Sequence, residues 1–213
     1  MKLAKSNPYA IKRAEFLGCK IDLSSRPLIP RPETEYWTER FIDSISNHSF
    51  KILDAFAGSG CIGIAVMSKM PKAQVDFAEI DPAHVLQIKS NIKLNGLTGR
   101  RHKIYKTNIL KNTSAYDFIL ANPPYLKKED LVRGITEFEP KRALVGGKDG
   151  LSHIRRLLGQ ARGHLSPGGS LWMEFHSKQK NKINELARHF GYTHTSFKKD
   201  QYGKWRYVIL SFF

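Results

Sequence analysis

The sequence predicts an α/β fold built on a seven-stranded, mostly parallel sheet with an antiparallel last strand, and three observations predict it. Residues 51 to 213 alternate strand and helix signals, the pattern of a sheet covered by helices on both faces. A glycine-rich turn, Asp54-Ala55-Phe56-Ala57-Gly58-Ser59-Gly60-Cys61-Ile62-Gly63, joins the first of these strands to a helix. Near the C-terminus two strand-like runs flank a short loop through Asp200 and Gly203, which predicts a hairpin.

Each element has a local reason. Upstream, Ala14 to Leu17 and Lys20 to Leu23 flank Gly18 and predict a small hairpin within an N-terminal segment, residues 1–40, laid over the cofactor cleft; residues 41–213 form the main domain. Lys51 to Phe56 reads as the first sheet strand, Cys61 to Lys69 as a helix and Gln74 to Ile80 as the second strand. Asp81-Pro82 supplies a cap and an N1 proline for a helix through about Leu94, stopped by Asn95-Gly96. Arg101 to Thr107 and Tyr116 to Ala121 are the third and fourth strands. Leu151, Ile154, Leu157, Leu158 and Ala161 stand at helical spacing in a helix over Leu151 to Leu165, ended by Ser166-Pro167-Gly168-Gly169. Ser170 to Phe175 is a fifth strand, Asn181 to Phe190 a helix closed by Gly191, and Tyr192 to Phe197 and Trp205 to Phe212 the final pair.

Composition narrows the function classes. The two cysteines, Cys19 and Cys61, are far apart and show no metal-ligand spacing, so neither a disulfide framework nor a metal centre is expected. No apolar run approaches the roughly 18 residues that cross a bilayer, which predicts no membrane span. The net charge is +16, and residues 151 to 213 supply half of it with eleven Lys/Arg against Glu174, Glu185 and Asp200. Such a field favours nonspecific nucleic-acid contact, or else reflects a generally basic proteome or organelle. Residues 1 to 14 lack acid and carry Lys2, Lys5, Lys12 and Arg13, like an organelle-targeting peptide, but Asn7-Pro8 interrupts any long amphipathic helix there.

The most specific signal is Asn122-Pro123-Pro124-Tyr125, directly after the fourth strand. Ligands bind at the C-terminal ends of strands in an open α/β sheet. The two prolines lack N–H groups, and their carbonyls have no local helix or ladder to join. Asn122 oxygen and the Pro123 carbonyl can accept both hydrogens of an NH2 group, while Tyr125 stacks on the planar group that carries it. Pro124 completes the grip. A plain strand-to-turn exit is the bland alternative.

The glycine turn supplies the cofactor side. Gly58 and Gly60 permit positive φ and close ligand approach, and Glu79, 21 residues after Gly58, stands at the end of the second strand, where a carboxylate accepts from both ribose hydroxyls. A nicotinamide dinucleotide fits this much equally well. The nitrogen grip and the antiparallel last strand favour S-adenosylmethionine, with its methionine part near Gly58 and Gly60. Asp54 orients either the loop or the methionine ammonium.

Two further segments accompany these motifs: Leu28-Ile29-Pro30-Arg31-Pro32-Glu33-Thr34-Glu35, and Phe138-Glu139-Pro140-Lys141-Arg142-Ala143-Leu144-Val145-Gly146-Gly147-Lys148-Asp149-Gly150. From about Pro8 onward the chain closely resembles the HemK/PrmC family of release-factor glutamine methyltransferases. The resemblance implies a Rossmann-like class I S-adenosylmethionine-dependent methyltransferase domain. It implies N5-methylation of the glutamine in the Gly-Gly-Gln loop of a peptide chain release factor. By this likeness Asn122 and Pro123 hold the amide beside the cofactor, Tyr125 packs on it, and Arg31, Pro32, Glu33 and Thr34 form a lid. An extended segment leading into a helix N-terminus is the other reading of that lid.

The chain departs from the family in three places. Asn108 stands where many relatives carry an acid near the adenine, and Phe175-His176 where they often show His-Gly. The family usually carries an N-terminal helical bundle that docks the release factor, and 27 residues precede Leu28; either the bundle is absent or the chain is a fragment. A monomer in the mitochondrial matrix is expected, with a bacterial cytoplasm as the alternative setting. The rival functions are a DNA or ribosomal-RNA amino methyltransferase, acting on adenine N6 or guanine N2, and a noncatalytic basic binding module on a Rossmann-like scaffold.

Overall fold

The computed structural model describes residues 9–10, 12–45, 48–110, 115–131 and 138–212. The basic run that resembles a targeting peptide falls largely on residues 1–8, outside the described residues. In chain order the elements are β1 (Arg13–Phe16), β2 (Cys19–Asp22), α1 (Pro32–Ser44), β3 (Lys51–Ala55), α2 (Cys61–Lys69), β4 (Gln74–Glu79) and α3 (Pro82–Leu94). There follow β5 (Ile104–Lys106), β6 (Tyr116–Ala121), the single turn α4 (Lys141–Leu144), α5 (Ser152–Ala161), β7 (Leu165–Glu174), α6 (Lys180–His189), β8 (His194–Lys199) and β9 (Trp205–Ser211).

A strand covered on both faces needs apolar side chains at successive positions, and β3, β6 and the second half of β7 supply them. Ile52 joins a core layer with Trp37, Phe41, Ile64, Phe77 and Ile88, while its neighbour Leu53 joins the opposite layer with Ile119, Ile154, Leu157 and Met173. Helices α1, α2 and α3 cover the first face, and α5 and α6 the second. The sheet order is β5-β4-β3-β6-β7-β9-β8. Pairings from β5 to β7 are parallel, and β9 runs antiparallel to both β7 and β8. The expected fold class is therefore the observed one, down to the reversed last strand.

The N-terminal hairpin β1–β2 docks on α3. Asn91 and Asn95, one helical turn apart, accept from the amides of Asp22 and Lys20 at 2.8 and 2.9 Å, and Asn95 returns a donor to the Lys20 carbonyl at 2.8 Å. Two side-chain amides thus pair an otherwise open strand edge. The hairpin lies on these helices, and it is the segment after it, around Leu28 and Arg31, that reaches the cleft. Helix α1 runs unbroken through residue 40.

Three boundaries move for physical reasons. Strand β5 is shorter than Arg101 to Thr107 because it is an edge with one partner, although β4 amides still take the Arg101 and Lys103 carbonyls. Helix α5 ends at Ala161 and passes through a tight turn, Arg162–His164. The run Ser166 to Gly169 belongs to β7, where Tyr116 pairs with Leu165 and Phe118 with Ser170, so the extra residues form a bulge. A side chain at Gly169 would meet the Tyr116 and Asp117 carbonyls at 2.9 Å. Among the described residues no helix is long and apolar enough to cross a membrane.

Candidate active site

Register alone brings the chemistry together. Ala55 pairs with both Ala78 and Ala121, and Ala121 with Met173. The next residues, Phe56, Glu79, Asn122 and Glu174, therefore stand in a row at the C-terminal end of the sheet. Two cavities open along this row. One of about 430 Å³ is lined by Gly58, Glu79, Thr107, Asn108, Asn122 and Pro124, among others. The other, of about 310 Å³, is lined by Arg31, Asn122, Pro123, Tyr125, Glu174 and Arg206, among others. Leu28, Asn122 and Ala143 belong to both walls.

The turn between β3 and α2 is held by left-handed residues. Phe56 has φ 59°, Gly58 φ 53° and Gly60 φ 80°; for Phe56 this is a strained conformation of the kind that accumulates at functional sites. Glu79 fixes the turn from the neighbouring strand, accepting from the Gly58 amide and the Asp81 amide at 2.8 Å each. Its carboxylate retains lone pairs toward the larger cavity. Asp54 is fully buried, and its Oδ2 accepts from the Gly63 amide at 2.9 Å. Burial, reinforced by the Glu79 charge, pushes the Asp54 carboxyl well above the usual carboxylate range. Asp54 and Gly60 stand behind the cavity wall and not on it. Gly60 caps α2 and packs so closely on Ile64 and Ile88 that a Cβ would sit 3.2 Å from each.

Residues of this cavity fit an adenosyl ligand with a ribose diol. Glu79 offers a carboxylate, Asn108 an amide, and Thr107 Oγ1 is buried without a hydrogen-bond partner among the described residues. Its volume lies in the range of small-molecule sites.

At the smaller cavity, Pro123 and Pro124 are buried and the Pro123 carbonyl accepts no hydrogen bond among the described residues. Asn122 is half-buried and donates through Nδ2 to Thr34 Oγ1 at 3.2 Å. Thr34 donates to Glu174 Oε2 at 2.7 Å, Trp37 Nε1 donates to the same oxygen at 2.8 Å, and the Tyr125 hydroxyl donates to Glu174 Oε1 at 2.8 Å. Burial raises the Glu174 carboxyl, while these three donors and the Arg206 charge oppose the rise. Burial, and then the Glu174 charge, pushes the Tyr125 phenol well above its ordinary value, so it stays a donor.

The backbone of the grip is braced from behind. The Gly146 amide donates to the Leu126 carbonyl at 2.8 Å, and a Cβ on Gly146 would lie 2.5 Å from the Pro124 carbonyl. Gln179 Nε2 donates to the Tyr125 and Gly150 carbonyls at 3.0 and 3.1 Å. The expected lid residues divide. Arg31 lines the smaller cavity while ion-paired to buried Glu139, which also accepts from the Ile29 amide at 3.1 Å. Pro32 opens α1, Glu33 lies 3.9 Å from Arg206 Nη2, and Thr34 is buried behind Asn122.

Sequence reasoning gave no site role to Glu174, Trp37 or Arg206, although Leu171-Trp172-Met173-Glu174 is among the segments that resemble the family. Glu174 was within reach, because a residue at the end of the strand next to Asn122 meets it in a parallel sheet. His176 caps a short turn with Gln179.

A family model described as "Methyltransferase small domain" matches residues 32–138. A "Release factor glutamine methyltransferase" of Borreliella burgdorferi is 34% identical over 215 residues, covering 98% of this chain and 74% of that protein. One of the same description from Clostridium botulinum is 30% identical over 207 residues, 94% of this chain and 73% of that protein. Among solved structures, a methyltransferase from Pyrococcus furiosus superposes with a TM-score of 0.69 at 23% identity, covering 95% of this chain and 92% of that one.

Proposed function

The chain belongs to the release factor glutamine methyltransferase family, and from that premise we propose that it methylates N5 of the glutamine in the Gly-Gly-Gln motif of a peptide chain release factor, with S-adenosylmethionine as donor. The observation that carries this reading is Asn122 on the wall of both cavities, next to a Pro123 carbonyl that accepts no hydrogen bond among the described residues.

When bound, S-adenosylmethionine supplies an electrophilic methyl group on a sulfonium. Gly58, Glu79, Thr107 and Asn108 would hold the cofactor, with Glu79 at the ribose, while Asp54 and Gly60 keep the turn in shape. In the smaller cavity Asn122 Oδ1 and the Pro123 carbonyl accept the two hydrogens of the substrate amide. That amide is a poor nucleophile because its lone pair is delocalised into its own carbonyl. Two fixed acceptors favour a pyramidal nitrogen and stabilise the positive charge that grows on it during transfer. Once alkylated, the nitrogen is acidic and gives its extra proton to solvent water, with no strong base required. Tyr125 and Pro124 pack on the amide, and Arg31, held by Glu139, walls the entrance. Residues 1–40 act as hairpin and lid, with Pro32, Glu33 and Thr34 supporting the substrate side from α1. Residues 41–213 act as the catalytic domain.

The +16 charge favours a second reading, amino methylation of DNA or ribosomal RNA through the same grip. It also supports nonspecific nucleic-acid contact and a mitochondrial matrix setting, with the cytoplasm as alternative. We take the enzyme to act as a monomer. One experiment decides between the substrates: methyl-labelled cofactor is offered together with recombinant release factor, a Gly-Gly-Gln peptide and ribosomal RNA. Label on the factor's glutamine is expected; label on RNA alone overturns the first reading in favour of the second.

A further inference from the structure

An asparagine amide can present either its oxygen or its NH2 to a ligand, and only the oxygen serves as the acceptor the proposed chemistry requires. The hydrogen bonds behind Asn122 choose between them. Trp37 Nε1 can only donate, and at 2.8 Å it commits Glu174 Oε2 to accepting. The Thr34 hydroxyl spends its one proton on that same oxygen at 2.7 Å. Thr34 Oγ1 then has only lone pairs left for Asn122, which must meet it with Nδ2, at 3.2 Å. Oδ1 is thereby turned away from Thr34. The same carboxylate holds the Tyr125 hydroxyl at 2.8 Å.

We propose that Thr34 and Glu174 are positioning residues that set the polarity of the Asn122 amide, through donors that converge on the Glu174 carboxylate: Asn122 to Thr34, Thr34 to Glu174, and the Trp37 indole to the same oxygen. The proposal rests on the function stated above, but its structural half is testable without turnover. Thr34→Val keeps the shape of the side chain and removes the acceptor; Thr34→Ser keeps the acceptor. With nitrogen-15 placed in asparagine, the Asn122 side-chain amide signal shifts in Thr34→Val and stays near its wild-type position in Thr34→Ser. In methylation of the release factor, kcat of Thr34→Val falls about threefold to tenfold, the size of one lost hydrogen bond, while cofactor KM holds. Thr34→Ser recovers most of that rate. An unmoved Asn122 signal in Thr34→Val overturns the proposal, as does a Thr34→Ser enzyme as slow as Thr34→Val. If the wild-type protein leaves the release factor unmodified, the functional reading fails and the amide signal alone decides the positioning claim.

Discussion

The turn at Phe56–Gly63 keeps its form through bonds within itself and to the next strand and helix, from Gly60 to Ala57, from Gly63 to Asp54, from Gly58 to Glu79 21 residues on, and to Ser59 from Asn91 32 residues on. The grip at Asn122 is held across the whole chain instead, by Thr34 from 88 residues upstream and by Glu174 and Gln179 from 49 and 54 residues beyond Tyr125. The first region is one strand-turn-helix unit with its neighbouring strand, and the second is assembled from α1, β7 and the turn before α6. Damage to the first should therefore appear as lost cofactor affinity or local stability. Damage to the second should appear in turnover.

Asn122→Ala is the strongest way to break that division. It should lower turnover by roughly 10²- to 10³-fold, the usual effect of removing one preorganised group that stabilises developing charge, and leave cofactor affinity by calorimetry nearly unchanged. Equal losses in both would mean the two regions are not separable. Glu79→Ala should act the other way, weakening cofactor binding by about 10- to 100-fold through lost charge-assisted hydrogen bonds. Unaltered affinity would remove Glu79 from the ribose site. Gly63→Ala tests the packing of the turn: a Cβ there meets the Phe77 ring, with Cζ at 2.9 Å, and Asp54 Cβ at 3.1 Å. Overpacking of this kind should cost about 1–3 kcal/mol of stability in chemical denaturation.

The smallest effect concerns pH. Burial raises the Glu174 carboxyl above its ordinary value of 4.5. Between that value and the raised one, the folded protein holds a proton that the unfolded chain has released. Stability linked to this group is thus full below 4.5 and falls as pH rises through the folded value. Glu174→Gln removes the ionisation, and its stability relative to wild type should be better at pH 8 than at pH 4. Melting curves at the two pH values check this. A variant that loses ground at pH 8 would show that the ionised carboxylate, with its three donors and Arg206, is a net stabilising group.

The contrast between the regions also governs what the sequence could reveal. Gly58, Gly60 and Glu79 were legible because their geometry is local and glycine adopts a positive φ without side-chain strain, as at Gly58 (53°) and Gly60 (80°). Asn122 was legible because it follows an apolar strand and precedes two prolines. The brace behind it was not, since nothing near Thr34 signals that its hydroxyl will meet Glu174 across 140 residues. Arg31 and Thr34 were expected at the site and Glu139 was read as shaping the substrate channel, whereas the pairing of Arg31 with Glu139 and of Thr34 with Glu174 becomes apparent only when α1 is packed. The bulge at Ser166–Gly169 was read as a helix stop for a related reason: Pro167-Gly168-Gly169 is turn-like locally, and only pairing with Tyr116 and Phe118 draws it into a strand.

The shared wall of Leu28, Asn122 and Ala143 bears on inhibitor design. Because the two chambers share these lining residues, one molecule can carry an adenosyl fragment and a carboxamide on a short tether and reach both. Its second fragment then binds at the high effective concentration of an intramolecular event. Selectivity would come from the remaining walls of the smaller cavity, Arg31, Glu174 and Arg206 among them, against which the carboxamide end must fit.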